Sequence, residues 1–237
     1  MLLQYVEISD NRPGGACSRP GGGQRGKRVT AAVSDILQHI RQRVADQIPD
    51  SACLESARAA VLLALTDDSS NPDLILTRRA ANLNSHAGEV ALPGGKRDPT
   101  DVDLAFTALR ESHEEIDLPP TQVELLGPMP QAVSRWGLQV VPFVGIIPHR
   151  IDLTPNAAEI DCIFRVPLRY FLEYPQVEYT EREHEGVRYR IPGFHFEGQV
   201  IWGLTAHFIT DFCNRVFDTG FDYFRPTPIT TTEGDTP

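Results

Sequence analysis

The sequence predicts an α/β fold in which a mixed sheet lies between helices. Apolar runs of strand length alternate with short turns rich in Gly, Pro, Asn and Asp, and a few other segments carry apolar residues at helical spacing. The chain has 237 residues, which is enough to bury a sizeable core. Strands interrupted by a small number of helices are typical of a sheet covered by helices.

The N-terminal part of the chain divides into a tail and a first helix. Residues 1–28 lack periodicity and are rich in Gly, Pro and Arg, so we expect a disordered tail before a domain that spans residues 29–220. Residues 30–44 carry apolar side chains at helical spacing and predict an amphipathic helix. This apolar stripe suits packing on the core, which we favour, or the face of a homodimer.

A hairpin and a glycine turn follow. The continuous apolar run at residues 58–66 predicts a buried strand, a turn at residues 67–73 comes next, and residues 74–78 predict the returning strand. A short strand at residues 90–92 leads into a turn at Pro93-Gly94-Gly95. The remaining predicted elements are strands at residues 123–126, 138–148, 159–166, 177–179, 187–191 and 194–196, helices at residues 168–172 and 201–217, and a loose tail over residues 221–237.

The helix predicted at residues 102–116 carries the chemistry. One face is apolar and must dock on a core, and Pro119-Pro120 end the helix. Glu111 and Glu115 are an i,i+4 pair, as are Arg110 and Glu114, so they form one acidic edge. A solvated helix face would explain such a run, but Mg²⁺ and Mn²⁺ prefer carboxylate oxygens, and the preceding glycine turn favours a metal site.

Composition limits the partners and the compartment. Lys and Arg number 22 against 32 Asp and Glu, a net charge of −10, which disfavours binding of nucleic acid. No apolar run is long enough to cross a membrane, and we expect a protein that acts on a small molecule. The four scattered cysteines fit reduced thiols in a cytoplasmic protein, since their spacing suits neither zinc nor a disulfide framework: Cys17, Cys53, Cys162 and Cys213.

At the acidic edge the chain resembles the Nudix hydrolase family, whose box reads G-x5-E-x7-R-E-U-x-E-E-x-G-U, with U aliphatic. Residues 110–118 match its second half, with Ser112 at the aliphatic position and Asp117 at the glycine position. Asp tolerates the left-handed conformation that a helix end needs. One extra residue separates Gly95 from Arg110, so no glutamate takes the early position and Asp101 is the nearest acid. The resemblance implies the family's α/β/α sandwich, with N- and C-terminal helices added.

The preceding segment is similar to the coenzyme A diphosphatase branch of that family, whose signature reads L-L-T-x-R-S-x-x-L-R-x-H-x-G-x-V-x-F-P-G-G. Asn84 replaces its second arginine and Leu92 its phenylalanine. The resemblance implies hydrolysis of coenzyme A or acyl-coenzyme A to 4′-phosphopantetheine, free or acylated, and adenosine 3′,5′-bisphosphate. The matching residues are Leu76, Thr77, Arg78 or Arg79, Leu83, His86, Gly88, Val90, Pro93, Gly94 and Gly95.

The resemblance also implies roles for the acidic edge. Glu111 and Glu115 are the principal ligands of Mg²⁺ or Mn²⁺, with Glu114 beside them, and Arg110 orients a glutamate. The catalytic set is therefore Glu114, Arg110 and Glu115. The general base stays open between Glu114 and Glu159, although a structural role is favoured for Glu159.

Substrate contacts are expected from Arg78, Arg79, His86, Gly94 and Gly95. Strand residues alternate between faces, so only one of the two arginines should point into the site. His86 either contacts a phosphate or closes its loop. The glycines give backbone freedom and let the helix approach closely.

Other expectations concern capping and rival functions. Asp98 and Asp101 are expected to cap the helix rather than bind metal. A Nudix hydrolase of ADP-ribose, NADH or a dinucleoside polyphosphate is one rival function. A non-catalytic nucleotide-binding module is another.

Overall fold

A computed structural model of the chain describes residues 35–47, 56–82, 86–134, 137–173, 177–184, 187–221 and 227–228. The predicted tail at residues 1–28 lies outside these ranges. No helix within them is long and apolar enough to cross a membrane. The helices are α1 (Ile36–Ala45), α2 (Leu104–Ile116), α3 (Leu168–Glu173) and α4 (Gly203–Phe217). The strands are β1 (Ala59–Thr66), β2 (Asp73–Arg79), β3 (Val90–Ala91), β4 (Gly94–Lys96), β5 (Glu124–Pro128), β6 (Ala132–Val133), β7 (Gln139–Ile147), β8 (Ile160–Pro167), β9 (Glu178–His184), β10 (Val187–Phe196), β11 (Gln199–Trp202) and β12 (Thr227–Pro228).

The main sheet is mixed and has eight strands, with the order β3-β2-β1-β7-β5. β1 and β7 pair in parallel from Ala59 opposite Val140 to Thr66 opposite Ile147. The other pairings are antiparallel and include the predicted hairpin of β1 and β2. β4 adds to β1, β6 to β7 and β8 to β2. The sheet therefore has β1 at its centre and β4 attached to the start of that strand.

Helices cover both faces of this sheet, which confirms the predicted α/β/α sandwich. Successive side chains of β1 point to opposite faces, so Leu63 joins one buried cluster and Leu62 the other. The cluster around Leu62 includes the apolar face of α2, through Leu104 and Ala108. The cluster around Leu63 takes in buried residues of α1, α3 and α4. The stripe of α1 therefore packs on the core, as favoured.

A second, smaller sheet differs from the predicted meander. The three short strands expected at residues 177–196 form two long ones, β9 and β10, paired from Val187 opposite His184 to Gly193 opposite Glu178. The helix expected from residue 201 begins at Gly203, which has a φ of 62°, because the preceding residues form β11 on β10. Within the tail expected to be loose, β12 pairs with β10. The rest of residues 222–237 lies outside the described ranges.

The start of α2 corrects the expected capping. Asp103 is the N-cap residue, and its carboxylate accepts a 2.7 Å bond from the Phe106 N–H. The prediction that Asp98 and Asp101 cap the helix was wrong, because the helix begins two residues later than expected. Asp98 instead accepts bonds from Thr100 within the preceding turn. Asp101 is buried and turns towards Arg110.

The end of α2 confirms the expected conformation of Asp117. This residue is left-handed, with φ 54° and ψ 36°, and its N–H bonds to the His113 carbonyl. This bond from the left-handed residue to the carbonyl four residues earlier is the αL type of helix end, and the Leu118 N–H also lies 3.5 Å from the Ser112 carbonyl. Ser112 itself is buried, and its hydroxyl donates a 2.7 Å bond to the Ala108 carbonyl. This bond explains why a polar residue is accepted at the aliphatic position.

We predict that Asp117→Gly raises the free energy of unfolding by about 0.5–1 kcal/mol, because glycine adopts the left-handed conformation without steric cost and carries no anion at the negative end of the helix dipole. Urea denaturation measures the change. Asp117→Asn is the control that removes the charge alone and should give a smaller gain. A loss of stability in the glycine variant would contradict this account of the helix end.

Candidate active site

The two glycines of β4 hold the site together through close backbone approaches. Gly94 has a φ of 147°, and a Cβ atom there would overlap the Val61 side chain, with 2.9 Å between Cβ and Cγ1. At Gly95 a Cβ atom would lie 2.5 Å from the carboxylate carbon of Glu111. The expected close approach to the helix is confirmed at Gly95. The turn predicted at these glycines is a strand, β4, which pairs with β1. Gly94 therefore allows close approach to β1 rather than to the helix.

Glu115 is the buried centre of the acidic edge. Its Oε2 accepts a 3.0 Å bond from the Gly94 N–H, and its Oε1 lies 3.5 Å from Nη1 of Arg79. Burial raises the pKa of Glu115 to about 7, opposed by the Gly94 bond and by Arg79 and reinforced by the charges of Glu111 and Glu159. The fold thus places a carboxylate where a negative charge is costly unless cations stand beside it.

Arg110 organises the other carboxylates. Its Nε and Nη2 donate to Asp101 at 2.9 and 3.0 Å, Nη2 also donates to Glu111 at 3.0 Å, and Nη1 donates to Glu114 at 2.9 Å. The Asp101 carboxylate is fully buried and receives two more bonds, from Thr107 Oγ1 and the Asp98 N–H. The predicted organising role of Arg110 is therefore present in the geometry, with Asp101 as its anchor.

The two arginines at the end of β2 point to different faces. Arg79 reaches Glu115, whereas Arg78 is ion-paired to Asp161, with 2.8 Å from Nε to Oδ2, and also donates to Gln199. The structure confirms that only one of them faces the acidic edge. Arg78 is not among the described residues that line the neighbouring cleft.

The acidic edge suits a divalent cation by charge and donor chemistry. Burial raises the pKa of Glu111, and the nearby charges of Glu114 and Glu159 add to the rise. A cation beside these oxygens would offset the burial and the mutual repulsion. Within the described residues, however, no three acidic, histidine or cysteine side chains converge closely enough to hold an ion. Arg110 bonds to one oxygen of Glu111 and one of Glu114, so a cation would have to draw the remaining oxygens of these carboxylates together.

The loop before β8 closes the site from the other side. The Asn156 N–H donates a 2.9 Å bond to the Glu115 carbonyl, and the Glu159 carbonyl accepts one of 2.8 Å from the Ala80 N–H. These bonds support the structural role favoured for the Glu159 segment. The Glu159 carboxylate is exposed and close enough to raise the pKa of Glu111 and Glu115. Glu114 and Glu159 therefore both remain candidates for the general base.

A cleft of about 710 Å³ has Gly94 and Gly95 in its wall and lies on the face of the sheet opposite α2. Arg79, Lys96 and His86 lie in its wall, and so do residues of α4. His86 is left-handed, with a φ of 56°, and its Nδ1 lies 2.7 Å from Oε2 of Glu89, so the histidine does close its loop. Glu111 and Glu115 do not line the cleft. Both carboxylates lie next to residues that do: Glu111 packs against Gly95, and Glu115 contacts Gly94 and Arg79.

The fold and this constellation define a Nudix domain, and comparison with known proteins agrees. The sequence model of the NUDIX domain matches residues 56–190, so the chain belongs to the Nudix family. It is 40% identical over 185 residues to an uncharacterized Nudix hydrolase NudL of Photorhabdus laumondii, covering 78% of this chain and 98% of that relative. A relative of the same name from Yersinia enterocolitica is 39% identical over 168 residues, with 71% and 86% covered.

Among solved structures, the chain resembles a Nudix hydrolase from M. smegmatis, RenU. The identity is 23%, the TM-score is 0.41, and the match covers 48% of this chain and 72% of that one. As a Nudix hydrolase, the protein acts on the diphosphate bond of a nucleotide derivative, and the family generally uses divalent metals such as Mg²⁺.

Sequence reasoning missed two contributions to the site. Asp101 anchors Arg110, and its only signal was its position as the acid nearest to the missing early glutamate. The wall supplied by α4, with Leu204, Thr205 and Phe208, comes from a helix far along the chain. No local motif marks those residues, since only the tertiary fold brings them to the cleft.

We predict that Asp101→Asn lowers the free energy of unfolding, measured by urea titration at neutral pH, by about 2–3 kcal/mol, because it removes the buried carboxylate that accepts two bonds from Arg110 and leaves that arginine with Glu111 and Glu114 as anionic partners. Arg110 holds the pKa of Asp101 at about 2, below its ordinary 3.8. Stability from a lowered pKa is present above the unfolded value and is lost as pH falls through the folded one. The difference between the two proteins should therefore shrink between about pH 4 and pH 2.

Glu124→Gln is the matched control for Asp101→Asn. Glu124 accepts a two-pronged bond from Arg41, but both side chains are exposed, at 51% and 38%. Loss of this ion pair should lower the free energy of unfolding by less than about 1 kcal/mol in the same urea titration. Equal losses in both variants would show that Asp101 acts as an ordinary surface partner.

We predict that Arg79→Gln lowers kcat/KM for a diphosphate substrate by about ten- to a hundredfold, because a cation between the cleft and Glu115 is lost. Arg78→Gln is the matched control one residue away, and it should change kcat/KM less than about threefold, since Arg78 is held by Asp161 on the other face. Steady-state kinetics measures both values. A larger loss of kcat/KM in the Arg78 variant than in the Arg79 variant would show that Arg78, and not Arg79, lies at the site.

Proposed function

We propose that this Nudix hydrolase cleaves the diphosphate bond of coenzyme A and its derivatives, giving 4′-phosphopantetheine, or its acylated form, and adenosine 3′,5′-bisphosphate. The observation that carries the proposal is the meeting of two segments beside the cleft. The box helix brings Glu115 there, and the segment similar to the coenzyme A diphosphatase branch brings Arg79, His86 and the two glycines.

Different residues of the site would position the diphosphate, orient the carboxylates and bind the metal. Diphosphate cleavage by water depends mainly on positioning and on neutralising charge. Arg79 and Lys96, both in the wall of the cleft, face the region that a diphosphate would occupy. Arg110 and the Gly94 N–H hold the carboxylates of Glu111, Glu114 and Glu115 in place. Those three side chains would bind Mg²⁺ or Mn²⁺, which stabilises charge on phosphate oxygens and lowers the pKa of a bound water.

Two other functions compete with the proposal. A different nucleoside diphosphate derivative, such as ADP-ribose, NADH or a dinucleoside polyphosphate, would use the same acidic edge. A binding module without catalysis would need no three clustered glutamates. The close packing of Gly95 on Glu111 and the anchoring of Arg110 by Asp101 favour an enzyme, because both orient carboxylates that a mere binding site could leave free.

Product analysis tests the substrate. The protein is incubated with coenzyme A, ADP-ribose, NADH and a dinucleoside polyphosphate, each with Mg²⁺, Mn²⁺ or EDTA, and the products are identified by chromatography and mass spectrometry. Metal-dependent release of 4′-phosphopantetheine with slow turnover of the others is expected. Turnover of another substrate alone would overturn the coenzyme A assignment, and turnover of none would favour the binding module.

We predict that Glu115→Gln removes nearly all turnover, by about a hundredfold or more, while the protein stays folded. The amide keeps the shape of the side chain but supplies no charge for a metal. Circular dichroism checks the fold and the product assay checks activity. Glu173→Gln, at an exposed glutamate of α3, is the control and should retain full activity. Activity that survived in the Glu115 variant would refute its role as a metal ligand.

A further inference from the structure

The cleft has two chemically different halves. Beside β4 its wall carries Arg79, Lys96 and the polar backbone of the two glycines. α4 and the residue before β7 supply apolar side chains, Leu204 and Leu138, to the part of the wall that we call the apolar half. These two side chains are partly buried and pack against the larger core cluster, so they form the part of that cluster that faces the cleft. A ligand whose diphosphate lies beside Arg79 and Lys96 would cover these apolar side chains with its other part.

One wall of the apolar half is a rigid helix face. Leu204, Thr205 and Phe208 occupy the first turns of α4, where residues spaced by four share a face. The hydroxyl of Thr205 donates a 3.1 Å bond to the Val90 carbonyl, which fastens this end of α4 to the strand that leads into the catalytic segment. The position of the wall relative to Gly94 is therefore fixed by the fold.

The two hydroxyl groups of this half each already make a hydrogen bond within the protein. The Thr205 hydroxyl is bonded to Val90, and the Ser134 hydroxyl accepts a 3.2 Å bond from the Leu138 N–H. Glu89 is paired with His86 at the mouth. A nucleobase presents several donors and acceptors on its edge, and each needs a partner when it is buried. An aliphatic chain needs none, so the wall suits a chain better than a base.

We propose that the apolar half of the cleft, between α4 and the Leu138 side, binds the aliphatic arm of the substrate, and that a saturated acyl group on coenzyme A extends into it. This inference rests on the proposed function and adds to it the placement of the arm and a preference for acylated substrates. Each methylene that leaves water for the cleft increases kcat/KM by about two- to fourfold until the apolar half is filled.

Kinetics with a series of substrates tests the placement. The values of kcat/KM are measured for coenzyme A and for its acetyl, butyryl, hexanoyl and octanoyl thioesters, with Mg²⁺. Wild-type protein should show a rise with chain length. Leu204→Gln and Leu138→Gln, one from each wall, should flatten this rise. Val200→Gln makes the same kind of change at a residue that is 47% exposed and not among those that line the cleft, and it should keep the wild-type slope.

Product inhibition separates the two ends of the substrate. Leu204→Gln should weaken inhibition by acylated 4′-phosphopantetheine and leave inhibition by adenosine 3′,5′-bisphosphate unchanged. The opposite result would place the nucleoside in the apolar half and overturn the proposal. So would a flat chain-length profile in wild-type protein, or a slope that both leucine variants retain. If coenzyme A and its thioesters are not hydrolysed at all, the proposed function itself fails, which the product assay shows independently of the variants.

Discussion

The site depends on one steric constraint, the close approach of β4 to β1 on one side and to α2 on the other. A side chain at Gly94 would overlap the backbone and side chain of β1, and one at Gly95 would overlap the Glu111 carboxylate. Because both positions lack a Cβ atom, the Gly94 N–H can reach the Glu115 carboxylate at 3.0 Å. That bond fixes the helix against the strand, and the strand in turn is fixed to the centre of the sheet.

Electrostatics then explains why the arginines stand where they do. Packing α2 on the sheet buries Glu115 and partly buries Glu111, which raises the pKa of both carboxyls. Arg110 offsets this from the helix itself and Arg79 from the neighbouring strand. Asp101 in turn fixes Arg110, so the chain of contacts runs from a buried acid through a guanidinium to the exposed edge. The carboxylates are thus held at one edge of the helix, at an energetic cost that a bound cation would reduce.

The sequence predicted the parts of this arrangement that depend on local pattern. The apolar run of β1, the face of α2 and the opposite orientations of Arg78 and Arg79 follow from residue spacing. The left-handed end at Asp117 follows from the resemblance of its segment to the Nudix box, where Asp117 takes the glycine position. The parts that failed depend on contacts distant in sequence. Gly94 looks like a turn residue until β1 lies against it, and Gly203 separates a strand from a helix only because β10 offers a partner to β11. Asp101 resembles a helix cap in the sequence because it directly precedes the helix predicted from residue 102, whereas α2 begins two residues later, at Leu104.

The two faces of the sheet divide the work. On one face α2 supplies the carboxylates, and on the other α4 and the Leu138 side supply an apolar wall. At the edge formed by β4 and the end of β2, Arg79, Gly94 and Gly95 border both regions. A substrate with a charged centre and an uncharged arm matches this layout, since its diphosphate would lie at the edge and its arm along the apolar face. In the proposed function, the acidic edge would carry out the same chemistry on any such substrate, and the apolar wall would select the group attached to the diphosphate.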